Sequence, residues 1–460
     1  MTLVNNNITF TIAGPLLAAA VYMALNAYGW DDKACMTGAV AALCAVWWIF
    51  ESIPIPATSL LPIALLPLFG ILTPAEVGAA YGSSLVLLLM GGFILSTAME
   101  KSGAHLRLAL AMVNLFGGSS SKRLVFGFMA TAAALSMWIS NTATALMLLP
   151  VAMAVIQKSD DKDLATPLLL GIAYAASVGG IGTPIGTPPN LIFREIYTQY
   201  TGQTVDFFTW MTWGVPVVIL LIPIIALWLT RRLKHQGHVD MPAVGHWQAE
   251  ERRVMVVFAI TAIAWMTRGQ PLGGWSHWLG VPTANDASVA LVAVIAMFLI
   301  PDGKGSRLLD WETAGRIPWG MLILFGGGIA IAKAFVISGL SGALGAALSG
   351  ISTWHIVFIL AAICLTITFL TEMTSNTATT TLMMPILAAA AIAANIEPAL
   401  LMVPAAMSAS CAFMLPVATA PNTIMFSTGC FSIRTMASEG FVLNLIGAVI
   451  IVLVCAIALG

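Results

Sequence analysis

The sequence predicts an all-α polytopic membrane protein with about eleven transmembrane helices and two re-entrant hairpins, built from two inverted repeats. Of its 460 residues, 59% are hydrophobic and only 8% are charged, whereas an ordinary soluble domain has about 25% charged residues. The pentapeptide Ser-Asn-Thr-Ala-Thr occurs twice, at Ser140–Thr144 and at Ser375–Thr379. Both copies lie between apolar stretches, where polar side chains are costly. A duplicated secondary transporter with one polar half-site per repeat explains this pattern better than chance.

Charge and cysteine content exclude several classes of function. The formal net charge is −1, so no overall field favours nucleic acid or a strongly charged partner. The six cysteines form no Cys-x-x-Cys pair, which argues against a disulfide framework and a zinc site. The N-terminal sequence MTLVNNNITF has no basic region, so we predict that the first apolar segment is a retained span and not a cleaved signal peptide.

The predicted spans follow from the lengths of the apolar segments. A helix needs about 20 apolar residues to cross the hydrocarbon core of a bilayer. Eleven segments reach or approach this length, at 10–28, 36–50, 53–72, 84–100, 167–185, 210–230, 253–267, 286–301, 318–337, 397–418 and 439–459.

The two hairpins are predicted where the pentapeptides interrupt apolar stretches. The segments 124–156 and 354–393 each carry a Ser-Asn-Thr motif near the middle. Each would form two short half-spans with a polar tip, because irregular backbone at membrane depth is tolerated only where protein buries it or it faces a water-filled cavity. A single tilted helix is the alternative to each hairpin.

Basic residues predict the orientation of the chain. A cytoplasmic N-terminus places 15 of the 19 Lys and Arg residues inside. The cytoplasmic set is Lys101, Arg107, Lys122, Arg123, Lys158, Lys162, Arg231, Arg232, Lys234, Arg252, Arg253, Lys304, Arg307, Arg316 and Arg434. The remaining four are Lys33, Arg194, Arg268 and Lys333.

The only sizeable polar stretch, 231–253, is a natural boundary between the two halves. The predicted division is therefore N-terminal scaffold helices at 1–83, a first repeat core at 84–230, a cytoplasmic linker at 231–252, scaffold helices of the second half at 253–317 and a second repeat core at 318–460. Each core contains one hairpin and one broken helix, at 167–200 in the first and 397–425 in the second.

The repeat extends beyond the pentapeptide. Gly91-Gly92 precedes Ser140 by 49 positions, and Gly326-Gly327 precedes Ser375 by the same number. Downstream, PIGTPPNLIF resembles PVATAPNTIMF. With the predicted orientation the first hairpin enters from the cytoplasm and the second from outside, so the repeats are inverted, as alternating access around a midplane site requires.

The paired motifs have the chemistry of a binding site for an anion and a cation. Hydroxyl and amide groups can donate to a carboxylate and can also offer oxygens to a cation. Prolines break the helices at 186–190 and 418–422, which exposes helix N-termini suited to an anion and carbonyls suited to sodium. Neither motif contains Lys or Arg. Helix packing by small residues and simple proline kinks are the structural alternatives, and the matched positions favour a site.

Four other polar residues have simpler interpretations. Glu372 adjoins the second motif and could relay protons, but Met137 occupies the matching place in the first repeat, so we interpret Glu372 as structural or interfacial. His105 and Arg107 fall in an amphipathic stretch that predicts a cytoplasmic interfacial helix. Arg194 is predicted to anchor the outer end of a span rather than to contact substrate.

These residues resemble the divalent anion/sodium symporter family, the dicarboxylate and citrate carriers. The similarity covers nearly the whole chain in length, span count, Ser-Asn-Thr hairpins and Pro-Asn breaks, and within the family the chain looks like a bacterial sodium/dicarboxylate symporter. It implies a homodimer in the lipid of the inner (plasma) membrane. Each protomer would have a scaffold domain at the dimer interface and a transport domain that moves like an elevator.

The resemblance also implies the site residues. The first sodium site would use Ser136, Ser140, Asn141 and the carbonyl of Gly186. The second would use Thr371, the backbone of Thr374, Asn376 and the carbonyl of Ala418. The substrate carboxylates would contact Asn141, Thr142, Thr187, Asn376 and Thr377, with Thr419 and Ala420 lining the pocket. Some members of the family have Ser at position 187 and Pro at position 420, so these two differences leave the preferred acid open.

The expected function is sodium-coupled import of C4-dicarboxylates such as succinate, fumarate and malate. Citrate or sulfate transport, dicarboxylate exchange and proton coupling are alternatives within the same fold. A channel is a different class and would show conductance far above carrier turnover. We find no paired carboxylates, HExxH or Ser/His/Asp grouping within the apolar segments, so no enzyme is expected.

Overall fold

The protein is described here by a computed structural model. It describes residues 2–116, 120–159, 161–233, 246–269, 274–348 and 355–459. Most of the predicted linker, with Lys234, lies outside these residues, as does residue 354 at the start of the second predicted hairpin. The described residues form α-helices and short 3-10 turns without a β-strand, which confirms the all-α class. By length and composition, eight stretches among them could cross a membrane.

The described helices fall into three groups along the chain. Seven precede the first predicted hairpin: α1 Thr2–Ala27, α2 Asp32–Phe50, α3 Ile55–Thr58, α4 Leu61–Leu68, α5 Pro74–Tyr81, α6 Ser84–Ser102 and α7 Ala104–Phe116. Five complete the first half: α8 Ser121–Ser136, α9 Asn141–Lys158, α10 Ala165–Gly179, α11 Pro188–Thr201 and α12 Phe207–Leu229. The second half contains α13 Ala249–Met266, α14 Gly274–Trp278, α15 Asp286–Leu299, α16 Trp311–Ala314, α17 Trp319–Ile337, α18 Leu340–Leu348, α19 Ile356–Thr371, α20 Asn376–Ala393, α21 Pro398–Ser408, α22 Ala420–Phe426 and α23 Ile433–Leu459.

One predicted span is two helices in the structure. The segment 53–72 divides into α3 and α4, which meet at Ser59 and Leu60. Pro62 lies in the first turn of α4, where a missing N–H group is tolerated. Apolar composition located this segment but could not show that its helical part is shorter, Ile55–Leu68, and interrupted at Ser59 and Leu60.

The internal repeat is visible in the helix lengths. Helices α6 and α17 both have 19 residues, α8 and α19 both have 16, and α9 and α20 both have 18. In each of these three pairs the helix of the second half begins 235 positions after its counterpart, the same offset as the pentapeptides. The sequence duplication is therefore also a duplication of secondary structure.

Small residues allow helices to approach closely, both within the first half and between the two halves. A Cβ atom added to Gly179 on α10 would lie 2.4 Å from the carbonyl oxygen of Ala133 on α8. One added to Gly91 on α6 would lie 2.7 Å from the Cβ of Ala290. The equivalent glycine of the second half, Gly326, packs in the same way against the ring of Tyr81. The paired glycines thus serve close packing, as small residues commonly do between membrane helices.

Arg194 is buried in an ion-pair cluster. Its Nη2 lies 2.8 Å from Oδ2 of Asp286, and Nε of Arg268 lies 2.6 Å from the other carboxylate oxygen. Arg194 Nε also donates to the carbonyl of Val205 at 2.8 Å. The side chain therefore joins α11 to the start of α15, in keeping with an anchoring role.

We expect Gly179→Ala to lower the free energy of unfolding by about 1–3 kcal/mol, because the added methyl group overlaps the backbone of α8. Gly78→Ala is the matched control, since its Cβ would meet open space. Thermal unfolding of the purified protein in detergent measures both. Equal unfolding temperatures for the two variants would contradict the packing described here.

Candidate functional site

Each pentapeptide begins in the short connection between two successive helices, α8 and α9 or α19 and α20, at the tip of a predicted hairpin. In the first, α8 ends at Ser136 and α9 begins at Asn141, with Ser140 as its N-cap. The Ser140 hydroxyl accepts a hydrogen bond from the Ala143 N–H at 3.1 Å, as N-cap serines commonly do. In the second, α20 begins at Asn376 after the N-cap Ser375. The motif asparagine is therefore the first residue of the returning helix in both hairpins, beside its unpaired N–H groups.

Oxygen atoms converge on the amide of Asn141. One terminal atom of this amide lies 2.6 Å from Ser136 Oγ and 3.2 Å from the carbonyl oxygens of both Gly186 and Ala176. If this atom is nitrogen, it donates to all three groups. If it is oxygen, four oxygens face one another, and such a donor set suits a hard cation. The predicted residues Ser136, Asn141 and Gly186 are thus brought together, and the carbonyl of Ala176 joins them.

The second hairpin repeats the pairing of a hydroxyl with the motif asparagine. The Thr371 hydroxyl donates to Oδ1 of Asn376 at 2.7 Å and lies 3.2 Å from the carbonyl oxygen of Ala409. Thr371 and Asn376 match Ser136 and Asn141 at the same offset. The Thr374 hydroxyl donates to the carbonyl of Leu370 at 2.9 Å and also contacts the Thr379 hydroxyl. The donor chemistry of this half also fits sodium.

The two broken helices bring further backbone to the hairpin tips. After α10, a 3-10 turn at Gly180–Gly182 leads into non-helical residues before α11. After α21, the chain is irregular up to a 3-10 turn at Pro416–Ala418, and α22 follows. In each break an asparagine side chain, Asn190 or Asn422, bridges two carbonyls.

A cavity of about 1270 Å³ joins the two half-sites. All seven residues predicted to contact substrate line it, namely Asn141, Thr142, Thr187, Asn376, Thr377, Thr419 and Ala420. Ser140, Gly186, Thr374 and Ala418 of the predicted sodium sites also line it. Ser136 and Thr371 lie behind its wall and are fully buried. The cavity extends to Glu51, Glu100, His105 and Arg316.

Glu372 holds the second break together. This buried carboxylate accepts hydrogen bonds from the N–H groups of Met414 and Leu415 at 2.8 and 2.9 Å, and from Nδ2 of Asn444 at 2.7 Å. These contacts support a structural role. In the first repeat the Thr183 hydroxyl donates to the carbonyl of Met137 instead, so the two halves join hairpin tip and break by different chemistry.

The sequence analysis missed several residues of the site. Asn190 and Asn422 belong to the Pro-Asn breaks, but the sequence does not show which carbonyls their amides contact. The carbonyls of Ala176 and Ala409 carry no side-chain signal. Asn444 is the clearest omission, because a lone polar residue in the apolar stretch FVLNLIGAVI indicates a buried hydrogen bond.

Long apolar helices, a duplicated polar half-site and a shared cavity define a membrane transport protein. A family described as "Citrate transporter" matches residues 45–403, and the chain belongs to this family. The "Sodium-dependent dicarboxylate transporter SdcS" of Staphylococcus saprophyticus is 41% identical over 468 residues, covering 96% of this chain and 89% of that protein. The proteins of the same name from Staphylococcus aureus strains NCTC 8325 / PS 47 and COL give the same identity and coverage.

A solved structure agrees with this assignment at the level of the fold. The Alcanivorax borkumensis YdaH transporter matches with a TM-score of 0.58 and 17% sequence identity, over 84% of this chain and 87% of that one. The chain is therefore an integral membrane transporter and not an enzyme, and its resemblance to the symporter family is confirmed.

We expect Glu372→Leu to lower the free energy of unfolding by at least about 3 kcal/mol, because three buried donors lose their acceptor at roughly 1–3 kcal/mol each. Glu372→Gln keeps one acceptor oxygen and should be less destabilising. Thermal unfolding in detergent separates the three proteins. A Leu variant as stable as the parent would show that these hydrogen bonds do not hold the break.

Proposed function

We propose that this chain imports C4-dicarboxylates such as succinate, fumarate and malate, coupled to sodium. The observation that carries the proposal is the pair of oxygen-rich half-sites at matched positions on one cavity. The names of the Staphylococcus relatives support both the ion and the substrate class. The bacterial inner membrane, a cytoplasmic N-terminus and a homodimer in lipid belong to the same proposal.

The charge balance of the cavity favours a co-transported cation. Arg316 is the only Lys or Arg among the described lining residues, and it already pairs with Glu312 at 2.6 Å. Helices α9, α11 and α20 begin beside the cavity at Asn141, Pro188 and Asn376. Their N-termini carry partial positive charge, and bound sodium would supply the rest of the charge that a dianion needs.

The Asn141 amide offers a physical basis for coupling. With sodium among the four oxygens, the amide oxygen faces the ion and the amide nitrogen is left to donate to a substrate carboxylate. Without sodium, the favourable orientation turns the nitrogen toward Gly186 and Ala176, and the oxygen left for the cavity repels a carboxylate. Each ligand then favours the amide orientation that the other needs, and such coupling is reciprocal.

The transport movement that we propose is an elevator motion of inverted repeats, with eleven spans and two re-entrant hairpins. The scaffold comprises 1–83 and 253–317, and the moving cores comprise 84–230 and 318–460, joined by the linker at 231–252. The equal helix lengths of the two halves support a repeat. The cavity reaches His105 and Arg316, which the basic residues place inside, so the conformation described opens toward the cytoplasm.

Uptake of radiolabelled succinate into proteoliposomes tests the proposal. We expect uptake with an inward sodium gradient and none with an inward potassium or proton gradient. If each cycle carries net positive charge, an inside-negative potential should stimulate uptake, since one charge gains about 2.3 kcal/mol per 100 mV. Competition by citrate, which the family's description suggests, or by sulfate would change the substrate and keep the mechanism. Uptake that requires internal dicarboxylate would indicate exchange, and indifference to sodium would refute the proposal.

Asn141→Asp should separate sodium binding from substrate binding. The carboxylate retains an oxygen for sodium but has no N–H group for substrate. We expect sodium to raise the unfolding temperature of this variant while succinate no longer does, whereas Asn141→Ala should lose both effects and transport. Asn376→Asp should behave like Asn141→Asp, and Asn376→Ala should behave like Asn141→Ala. Asn26→Ala, at an exposed position on α1, is the control. Normal succinate uptake by either Ala variant would contradict the assignment of the site.

A further inference from the structure

The asparagines of the two Pro-Asn breaks form the same pair of hydrogen bonds. Nδ2 of Asn190 donates to the carbonyls of Gly180 at 2.9 Å and Thr183 at 2.7 Å. Nδ2 of Asn422 donates to the carbonyls of Ala412 and Leu415 at 3.0 Å each. In both breaks the acceptors lie ten and seven positions before the asparagine. Both asparagines are fully buried and occupy the third position of their helix.

These bonds close each break into a loop. Pro188 and Pro189, and Pro421 in the second half, have no N–H group to offer to preceding carbonyls. The asparagine amide supplies two donors in their place, from the helix that follows the break to the backbone that precedes it. One side chain therefore ties the two sides of the loop together.

Each closed loop contains the carbonyl that we assign to sodium. Gly186 lies four positions before Asn190, and Ala418 lies four positions before Asn422. The two carbonyls thus have the same position relative to their asparagine, although the intervening residues differ. Gly186 also fits tightly, because a Cβ added there would lie 2.5 Å from the carbonyl oxygen of Gly180, one of the two groups that Asn190 holds.

The amide oxygens show that the asparagines are used for donation alone. Oδ1 of Asn190 and Oδ1 of Asn422 are both buried without a hydrogen-bond partner. A buried unpaired acceptor costs stability. An apolar side chain of the same size would avoid this cost but leave two carbonyls without donors and the loop unheld. Both asparagines donate hydrogen bonds and accept none, which indicates that each side chain serves to hold its loop.

We propose that Asn190 and Asn422 are positioning residues that set the sodium affinity of the two half-sites. The proposal rests on the sodium-coupled function above. Both side chains lie behind the cavity wall and act through the Gly186 and Ala418 carbonyls, whereas the hairpin tips supply most of the expected substrate contacts. Loss of either amide releases a carbonyl ligand of sodium and leaves Asn141 and Asn376 in place.

The test uses Asn190→Leu and Asn422→Leu, with Gln199→Leu as the matched control. Gln199 is a half-buried amide on α11 that contacts Glu195 and not the break. We expect the sodium concentration for half-maximal succinate uptake to rise about tenfold or more in both variants, which corresponds to a modest loss of binding free energy. The KM for succinate at saturating sodium should stay within about threefold, since most of the expected carboxylate donors, those at the hairpin tips, lie outside the two loops.

Sodium-induced stabilisation against thermal unfolding provides a second readout that does not depend on transport. Its midpoint should shift in parallel with the uptake curve in both variants and remain unchanged in Gln199→Leu. If the Leu variants do not fold, Asn190→Ser and Asn422→Ser, which admit water to the released carbonyls, undergo the same measurements.

The outcomes are distinct. A lower maximal rate or yield with an unchanged sodium midpoint would show a merely structural role and overturn the proposal. A raised succinate KM with an unchanged sodium midpoint would also overturn it. If the parent protein took up succinate without regard to sodium, the proposed function would fail first, whatever the variants did.

Discussion

Every part of the site depends on one constraint, which is that backbone leaving a helix in apolar surroundings must find partners for its N–H and C=O groups. The chain leaves its helices at four places near the cavity, two hairpin tips and two breaks. At each place side chains or neighbouring backbone meet the requirement: Ser140 caps α9, Asn190 and Asn422 bridge carbonyls, and Glu372 accepts from Met414 and Leu415. In the first half, the carbonyls of Gly186 and Ala176 face the amide of the motif asparagine, Asn141.

The two halves meet this constraint partly by the same chemistry and partly by different chemistry. The asparagine bridges repeat with the same spacing, and so does the pairing of a hydroxyl with the motif asparagine. The contact between tip and break does not repeat: it is a hydroxyl on a carbonyl at Thr183, and a carboxylate on two N–H groups at Glu372. A buried carboxylate needs several donors, and Asn444 provides the third. The half-sites are therefore alike at the expected ligands and unlike in what supports them.

The sequence predicted those features that depend on side-chain type and spacing. Hydrophobic runs gave the all-α class, and the repeated pentapeptide marked two places where one helix ends and the next begins, because a polar motif interrupts an apolar stretch there. The sequence could not show that the segment 53–72 is interrupted at Ser59 and Leu60, since apolar composition is the same on both sides of the interruption. Nor could it show which carbonyls converge on Asn141, because Ala176 and Gly186 contribute only backbone, and the position of backbone oxygens depends on tertiary packing.

A binding site made of neutral groups can make substrate binding depend on a bound cation. An arginine or lysine would hold a dicarboxylate in the absence of any ion, and substrate binding would then be independent of the gradient. Amides and hydroxyls lack this charge, and their orientation follows whatever they bind. At Asn141 one terminal atom faces three oxygens, and in the coupling that we propose a bound cation decides which end of the amide meets the cavity. This coupling requires a rigid backbone around the Asn141 amide, because a loose loop would accommodate either amide orientation without a cation.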